Sequence, residues 1–273
     1  MRPPVASRVF QQLAVLVLFL FYAVPLATIL VASFKSNSDI VNDPVGLVFT
    51  PTLDAYTKVF QSDFLRALGN SLFIAVGTTL VTVLAASLLA YVLARTSPRW
   101  TAIVVGGLIA LQMTPAATAV IPQYQVIAGI GLLGTKVGVV LAMSALLLPY
   151  ATLLLRPFYL AVPYEIEEAG QIDGAGPFAI YVRLILPLMN NGIGLVSVLL
   201  FIAAWGDFIH PMSFLNNQAE FPLSVVLAQQ QGIYGTEWNS LMALAVVGSI
   251  PTIVIFAFVA RRLTSGLALG VGK

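Results

Sequence analysis

No cysteine occurs among the 273 residues, and only one histidine does. The first absence excludes disulfides and thiolate metal sites together, and it leaves the redox compartment unread. The single histidine, His210, stands at the boundary of an apolar run and reads as an interfacial residue rather than a proton relay or metal ligand. Asp207 on the same edge reads as facing water. No Ser-His-Asp set, paired-carboxylate site or metal cluster falls inside the apolar runs, so intramembrane enzyme chemistry is unsupported. Charge is scarce as well. Only 9% of residues carry it, the net balance is +2, and nothing basic or aromatic suggests nucleic acid.

Apolar sequence takes the place of what is missing. Hydrophobic residues make up 59% of the chain and mean hydropathy is +0.96, a composition that would force a soluble domain to expose large apolar patches. The chain is therefore expected to be an all-α integral membrane protein, one domain over 1–273. A bilayer core of about 30 Å needs roughly 20 apolar residues per helix. Six stretches qualify: Leu13–Ser33, Ser71–Ala94, Ala102–Ile121, Val137–Leu155, Leu188–Ile209 and Leu241–Ala260. The first follows Arg2 and Arg8 as a secretion signal would, but it exceeds the roughly 7–15 apolar residues of a signal core and is expected to be retained.

Lysine and arginine set the orientation. With the N-terminus inside, nine fall on the cytoplasmic side (Arg2, Arg8, Arg95, Arg99, Arg156, Arg183, Arg261, Arg262, Lys273) and four outside (Lys35, Lys58, Arg66, Lys136). Both termini are then cytoplasmic. Outside lie the connection 34–69, with a short surface helix expected at Asp54–Phe60, and the segment 211–239. Gly129-Ile-Gly131-Leu-Leu-Gly134 matches a dinucleotide-binding pattern by spacing but has no strand before it, and reads as a tight reversal.

One polar island interrupts the apolar sequence. From Pro163 to Pro187 the chain reads PYEIEEAGQIDGAGPFAIYVRLILP, on the cytoplasmic side. Glu165, Glu167 and Glu168 load the opening turn of a helix, where its dipole favours negative charge, and Pro163 suits its first position. Gly174 suits the C-terminal cap, and Pro177 restarts a second helix towards Leu186-Pro187. Ile166, Ala169 and Ile172 or Asp173 fall at helical spacing, a small apolar ridge flanked by carboxylates.

These residues resemble the signature loop of permease subunits of bacterial ABC importers: E-A-A, three residues, Gly, nine residues, I-x-L-P. Glu168-Ala169-Gly170, Gly174 and Leu184-Ile185-Leu186-Pro187 fill it, with Gly170 in place of the third-position alanine and Leu184 in place of the isoleucine. Gly170 is expected to loosen the helix by roughly 0.5–1 kcal/mol relative to alanine. The flanking run and the ending RRLTSGLALGVGK are similar to maltose-type sugar permeases, in the smaller of the two subunits. The resemblance implies a type I ABC importer permease fold in a bacterial inner membrane. It also implies a homologous second permease, two ATPase subunits holding ATP and magnesium, and an extracytoplasmic solute-binding protein. No cofactor belongs to this chain itself.

On the same basis Glu167, Glu168, Ala169, Gly170, Asp173, Gly174, Leu186 and Pro187 are the residues that couple to the ATPase, and the C-terminal tail reaches along it. Gln230, Gly232, Tyr234, Gly235 and Trp238 match the outer loop that probes the binding protein's pocket. Polar groups inside the apolar runs, Gln112, Thr114, Tyr150, Asn190, Asn191 and Trp205, are candidates for the solute path, because a sugar needs hydrogen-bonding side chains and flat aromatic faces. Trp205-Gly206-Asp207-Phe208 resembles the W-N-D-F stretch of sugar permeases, with glycine in the asparagine position. A non-sugar solute also fits the bare signature loop. An ion-coupled carrier would need an ionisable group or a broken helix pair at mid-membrane.

Overall fold

Four helices are long and apolar enough to cross a membrane, at 11–32, 64–95, 136–160 and 238–257, and two bent helix pairs bring the number to six if each pair is one span. These come from a computed structural model that describes residues 5–232 and 235–270, with side chains at 11–230 and 236–257. In chain order the helices are α1 (Val5–Ala32), α2 (Asn37–Asn42), α3 (Asp54–Gln61), α4 (Phe64–Arg95), α5 (Pro98–Gln112), α6 (Ala116–Gly129) and α7 (Lys136–Leu160). There follow α8 (Glu165–Ile172), α9 (Pro177–Ile180), a π-turn (Tyr181–Ile185), α10 (Leu186–Leu188), α11 (Asn190–Trp205), α12 (Ile209–Phe214), α13 (Leu223–Gln229) and α14 (Trp238–Gly270). A two-residue antiparallel ladder, Gln231–Gly232 with Gly235–Thr236, precedes α14.

The third expected span, Ala102–Ile121, is corrected: it is two helices, α5 and α6, meeting at 103°. Pro115 is the cause. It donates no hydrogen bond and drives Thr114 out of the helical region, so α5 stops at Gln112 and α6 starts after the proline. The fifth, Leu188–Ile209, is corrected too. Its straight part is α11, which ends at Trp205 and meets the 177–188 segment at 77°.

Contacts divide the chain into two compact units, 1–65 with 226–250, and 66–225 with 251–273. In the first, Ser33 and Tyr56 share a 2.7 Å hydrogen bond, and α3 buries Ala55 and Val59. Lys35, counted among the outside charges, is 1% exposed and donates to the Asp43 carbonyl at the end of α2. The Asn37 side chain accepts the Trp238 amide at the start of α14. Lys58 binds Glu237 at 2.9 Å, and with Ser240 it holds that carboxyl below the usual carboxylate range.

In the second unit α7 is the central helix, touching α5, α6, α11 and α12. Its start is capped by the Thr135 hydroxyl, which accepts from Gly138 N. The reversal before it turns at Gly131 and Gly134, both at positive φ, and Lys136 joins Glu220 and Asn70 at 2.8 and 2.9 Å.

Candidate functional site

The polar island folds as two short helices. α8 carries three glutamates in its first turn, begins after Tyr164 rather than at Pro163, and ends at Ile172. Its end is a Schellman closure: Gly174 N donates to Gln171 O, Ala175 N donates to Gly170 O, and Gly174 has φ +76°. Pro177 opens α9 in the first-turn position where a missing N–H costs nothing. Pro187 cannot bond back to Arg183, and the Leu186 amide reaches Tyr181 O instead, which widens the preceding turn into a π-turn.

Glu167, one of the three glutamates, points inward. It is buried, with Arg95 Nε donating to Oε1 at 2.6 Å and the Tyr91 hydroxyl donating to Oε2 at 2.9 Å. The same guanidinium donates to the carbonyls of Tyr159 (3.3 Å) and Val162 (3.1 Å) at the end of α7, where helix carbonyls lack intrahelical partners and a cation suits the dipole. One helical turn deeper, Ser87 Oγ lies 2.5 Å from the Tyr159 hydroxyl and 2.6 Å from that of Tyr181. The Tyr91 ring lies between, with centroids 5.9 Å from Tyr159 and 5.0 Å from Tyr181. α8, α7 and the π-turn are thus fastened to one stripe of α4. Ile180, Tyr181 and Ile185 are buried in an apolar cluster with Ala86, Ala90, Leu155 and Leu200.

Two expectations for the island change. The ridge does not run through Ile166, which packs against that cluster; what α8 and its surroundings expose is Glu168, Ala169, Asp173, Gly174 and Ile172, the last 86% accessible, together with Phe178 at 76%. Glu167 is a fastening within the chain, not a group offered to a partner. Pro187 is exposed and Leu186 half-buried.

Gly170 is no loosening defect either. A methyl there would meet Leu184 Cδ1 at 2.8 Å and Ile180 Cγ1 at 3.1 Å, so the two departures from the signature pattern touch each other. Leu184 fills space that the family's alanine would take. Gly170→Ala alone is expected to lower thermal stability despite alanine's better helix propensity, by about 1 kcal/mol for the displaced leucine. Gly170→Ala/Leu184→Ile is expected to recover it; a double mutant no better than the single would refute the pairing.

The other candidates do not form one cluster. Asn190 and Asn191 open α11 and Trp205 closes it, about 22 Å away along a helix of 1.5 Å per residue. Gln112 and Thr114 are exposed at the α5–α6 corner, Tyr150 is half-buried in mid-α7, and Trp205 stacks on Phe201 at 5.5 Å. Among the proposed binding-protein contacts, Gly232 and Gly235 are paired across the ladder, Gln230 is half-buried and Trp238 is partly exposed; Tyr234 lies outside the described residues.

His210 and Asp207 are corrected outright. His210 is 0% exposed, its Nδ1 lies 2.8 Å from Asp207 Oδ2, and its Nε2 lies 3.1 Å from Gln123 Oε1. Gln123 in turn donates to the Ala142 carbonyl of α7. No group of three or more metal-binding side chains occurs among the described residues.

A multi-span helical membrane protein with a two-helix polar loop fastened to the ends of its spans fits the architecture of an importer's permease subunit. The sequence match agrees: residues 82–268 match the family described as binding-protein-dependent transport system inner membrane component, and the chain belongs to that family. It is a transport subunit rather than an enzyme. It is 30% identical to the permease protein SmoH of the sulfoquinovosyl glycerol transport system of Agrobacterium fabrum, over 90% of this chain and 87% of that one. It is 32% identical to the trehalose transport system permease protein SugB of Mycobacterium tuberculosis, over 91% and 92%. A chain of a bacterial ABC transporter that imports the polysaccharide alginate shares the fold, with TM-score 0.79, 19% identity, and 96% and 99% of the two chains covered.

Proposed function

We propose that this chain forms half of the passage through which a carbohydrate enters the cell, driven by ATP hydrolysed on separate subunits. One observation carries this reading: α8 and its cap leave Glu168, Ala169, Ile172 and Asp173 exposed while Glu167, on the opposite face, is locked to Arg95 and Tyr91. An exposed face on a rigid mount transmits force; the same face on a free loop would not. Two ATPase subunits, holding ATP and magnesium, push on such loops as they close. α8 passes the displacement through Arg95 and the Ser87–Tyr159–Tyr181 contacts into α4 and α7, which re-pack between inward-open and outward-open arrangements.

Arg95 is the transmitting group, and Glu168 is the group that pairs with a basic side chain of the ATPase. A homologous second permease supplies the other half of the path, and a solute-binding protein delivers cargo at the outer face, where Gln230, Gly232, Tyr234, Gly235 and Trp238 meet it. Gln112, Thr114, Tyr150, Asn190, Asn191 and Trp205 line the route at successive depths, since no single cluster gathers them. The sulfoquinovosyl glycerol and trehalose systems to which SmoH and SugB belong favour a carbohydrate over other solutes. The broken α5–α6 pair is a feature ion-coupled carriers also use, so the energy source is what the experiment must separate.

The complex purified through a tag on this chain, in proteoliposomes with its binding protein, is expected to accumulate a labelled mono- or disaccharide only with ATP. Uptake that survives without ATP and collapses with the ion gradient would replace this reading by the carrier.

A further inference from the structure

Arg156 lies in α7, four residues and so about 6 Å before the cytoplasmic end of the helix. Its Nε is buried without a hydrogen-bond partner among the described residues, while the side chain as a whole is half-buried. The nearest elements offer it no counter-charge. Both oxygens of Glu167 are engaged by Arg95 and Tyr91, and the facing end of α4 and first turn of α5 carry Arg95 and Arg99 but no acid. A buried N–H donor without an acceptor costs free energy as it stands, and an acceptor from beyond the described residues would satisfy it while the half-buried head of the guanidinium stays within its reach.

The side chain lines a cavity of about 390 Å³ between the end of α4, the start of α5 and α7. Leu93, Val105 and Leu160 make its walls apolar. Its threonines are turned away: the Thr96 hydroxyl donates to Val92 O, and that of Thr101 to the carbonyls of Leu93 and Thr96. No side chain caps α5, so the positive end of its dipole adds to the arginine. Arg99 and Trp100 beside it are exposed, Trp100 by 66%, and a tryptophan with an arginine in the first turn marks the headgroup level.

We propose that this cavity is a binding site for an anionic glycerophospholipid of the cytoplasmic leaflet, with Arg156 donating to its phosphate and Leu93, Val105 and Leu160 packed on its acyl chain. Charge and shape both select this ligand. A phosphate diester supplies the missing acceptor, and a ligand with its own hydrocarbon matches walls that a soluble anion would leave unsatisfied. Basic pockets between spans on the cytoplasmic side are suited to such headgroups.

Native mass spectrometry of the detergent-purified complex, delipidated and then titrated with palmitoyl-oleoyl phosphatidylglycerol or the matching phosphatidylcholine, tests the site. The wild type is expected to retain phosphatidylglycerol about tenfold more strongly than phosphatidylcholine, as one charge-assisted hydrogen-bonded contact implies. Arg156→Gln is expected to erase that preference. Val105→Phe, which fills the apolar wall and leaves the charge, is expected to weaken retention of both lipids; it also decides the matter if Arg156→Gln fails to assemble. Equal retention of the two lipids by the wild type, or an unchanged preference in Arg156→Gln, overturns the proposal. So does displacement of phosphatidylglycerol by millimolar inorganic phosphate with Val105→Phe behaving as wild type, which would assign the arginine to a soluble anion.

Discussion

Arg95→Met is expected to reduce ATP-driven uptake by more than tenfold while ATP hydrolysis continues. The guanidinium holds three things at once: the Glu167 carboxylate on α8 and the carbonyls of Tyr159 and Val162 at the end of α7. Removing one member of a buried ion pair strands the other, at a cost of roughly 3–5 kcal/mol, and Tyr91 alone does not satisfy the carboxylate. α8 should then detach from α4 while the spans stay folded, because the apolar cluster of Ala86, Ala90, Leu155 and Leu200 does not depend on the pair. Hydrogen exchange at the amides of 165–175 should accelerate, with the α4 and α7 amides little changed. The diagnostic comparison is Arg95→Met/Glu167→Leu. Replacing both charges by apolar groups removes the stranded ion and is often near neutral, so the double variant should regain much of the lost protection. If it is no better than Arg95→Met, the pair is not what mounts the helix.

Glu168→Ala should separate the two neighbouring glutamates by behaviour. Glu168 is exposed and its carboxylate makes no hydrogen bond or ion pair among the described residues, so its removal should change thermal stability by no more than about 0.5 kcal/mol. Paired with a basic group in a desolvated cleft of an ATPase, however, the same carboxylate is worth roughly 2–5 kcal/mol. The expected result is a normally folded complex whose ATP hydrolysis no longer responds to the loaded binding protein and whose uptake falls about a hundredfold. Normal uptake by purified Glu168→Ala would remove this residue from the coupling surface. The contrast is informative because Glu167 and Glu168 are adjacent, with the same chemistry and a 100° difference in direction around the helix.

That difference is invisible in the sequence. The motif places both glutamates in the same polar loop, but which one faces the core depends on what packs against α8. Ser87, Tyr91 and Arg95 recur every fourth residue and so form one stripe on α4; the spacing is visible in the sequence, yet by sequence alone Arg95 is one more positive charge at the end of a span. The partners of that stripe, Tyr159, Glu167 and Tyr181, are 72 to 94 residues distant, and no local pattern announces them. Gln123, His210 and Asp207 repeat the lesson: Gln123 and His210 are 87 residues apart, and a lone histidine at the end of an apolar run looks interfacial until its pocket is known.

The sequence by itself determined the class, the number of apolar stretches, the polar island and the closure of α8. Composition, charge bias, and proline and glycine positions act locally: an apolar run must leave water wherever it lies, and the glycine at 174 supplies the positive φ of the cap without help from distant residues. Only the tertiary structure decided that the third span breaks through a right angle, that Gly170 and Leu184 are a matched pair, that Glu167 is a fastening, and that the buried Nε of Arg156 has no partner among the described residues. Each of these depends on which groups meet across helices, and in a chain whose surface is as apolar as its interior, hydrophobicity marks the membrane but not the side of a helix that touches its neighbour.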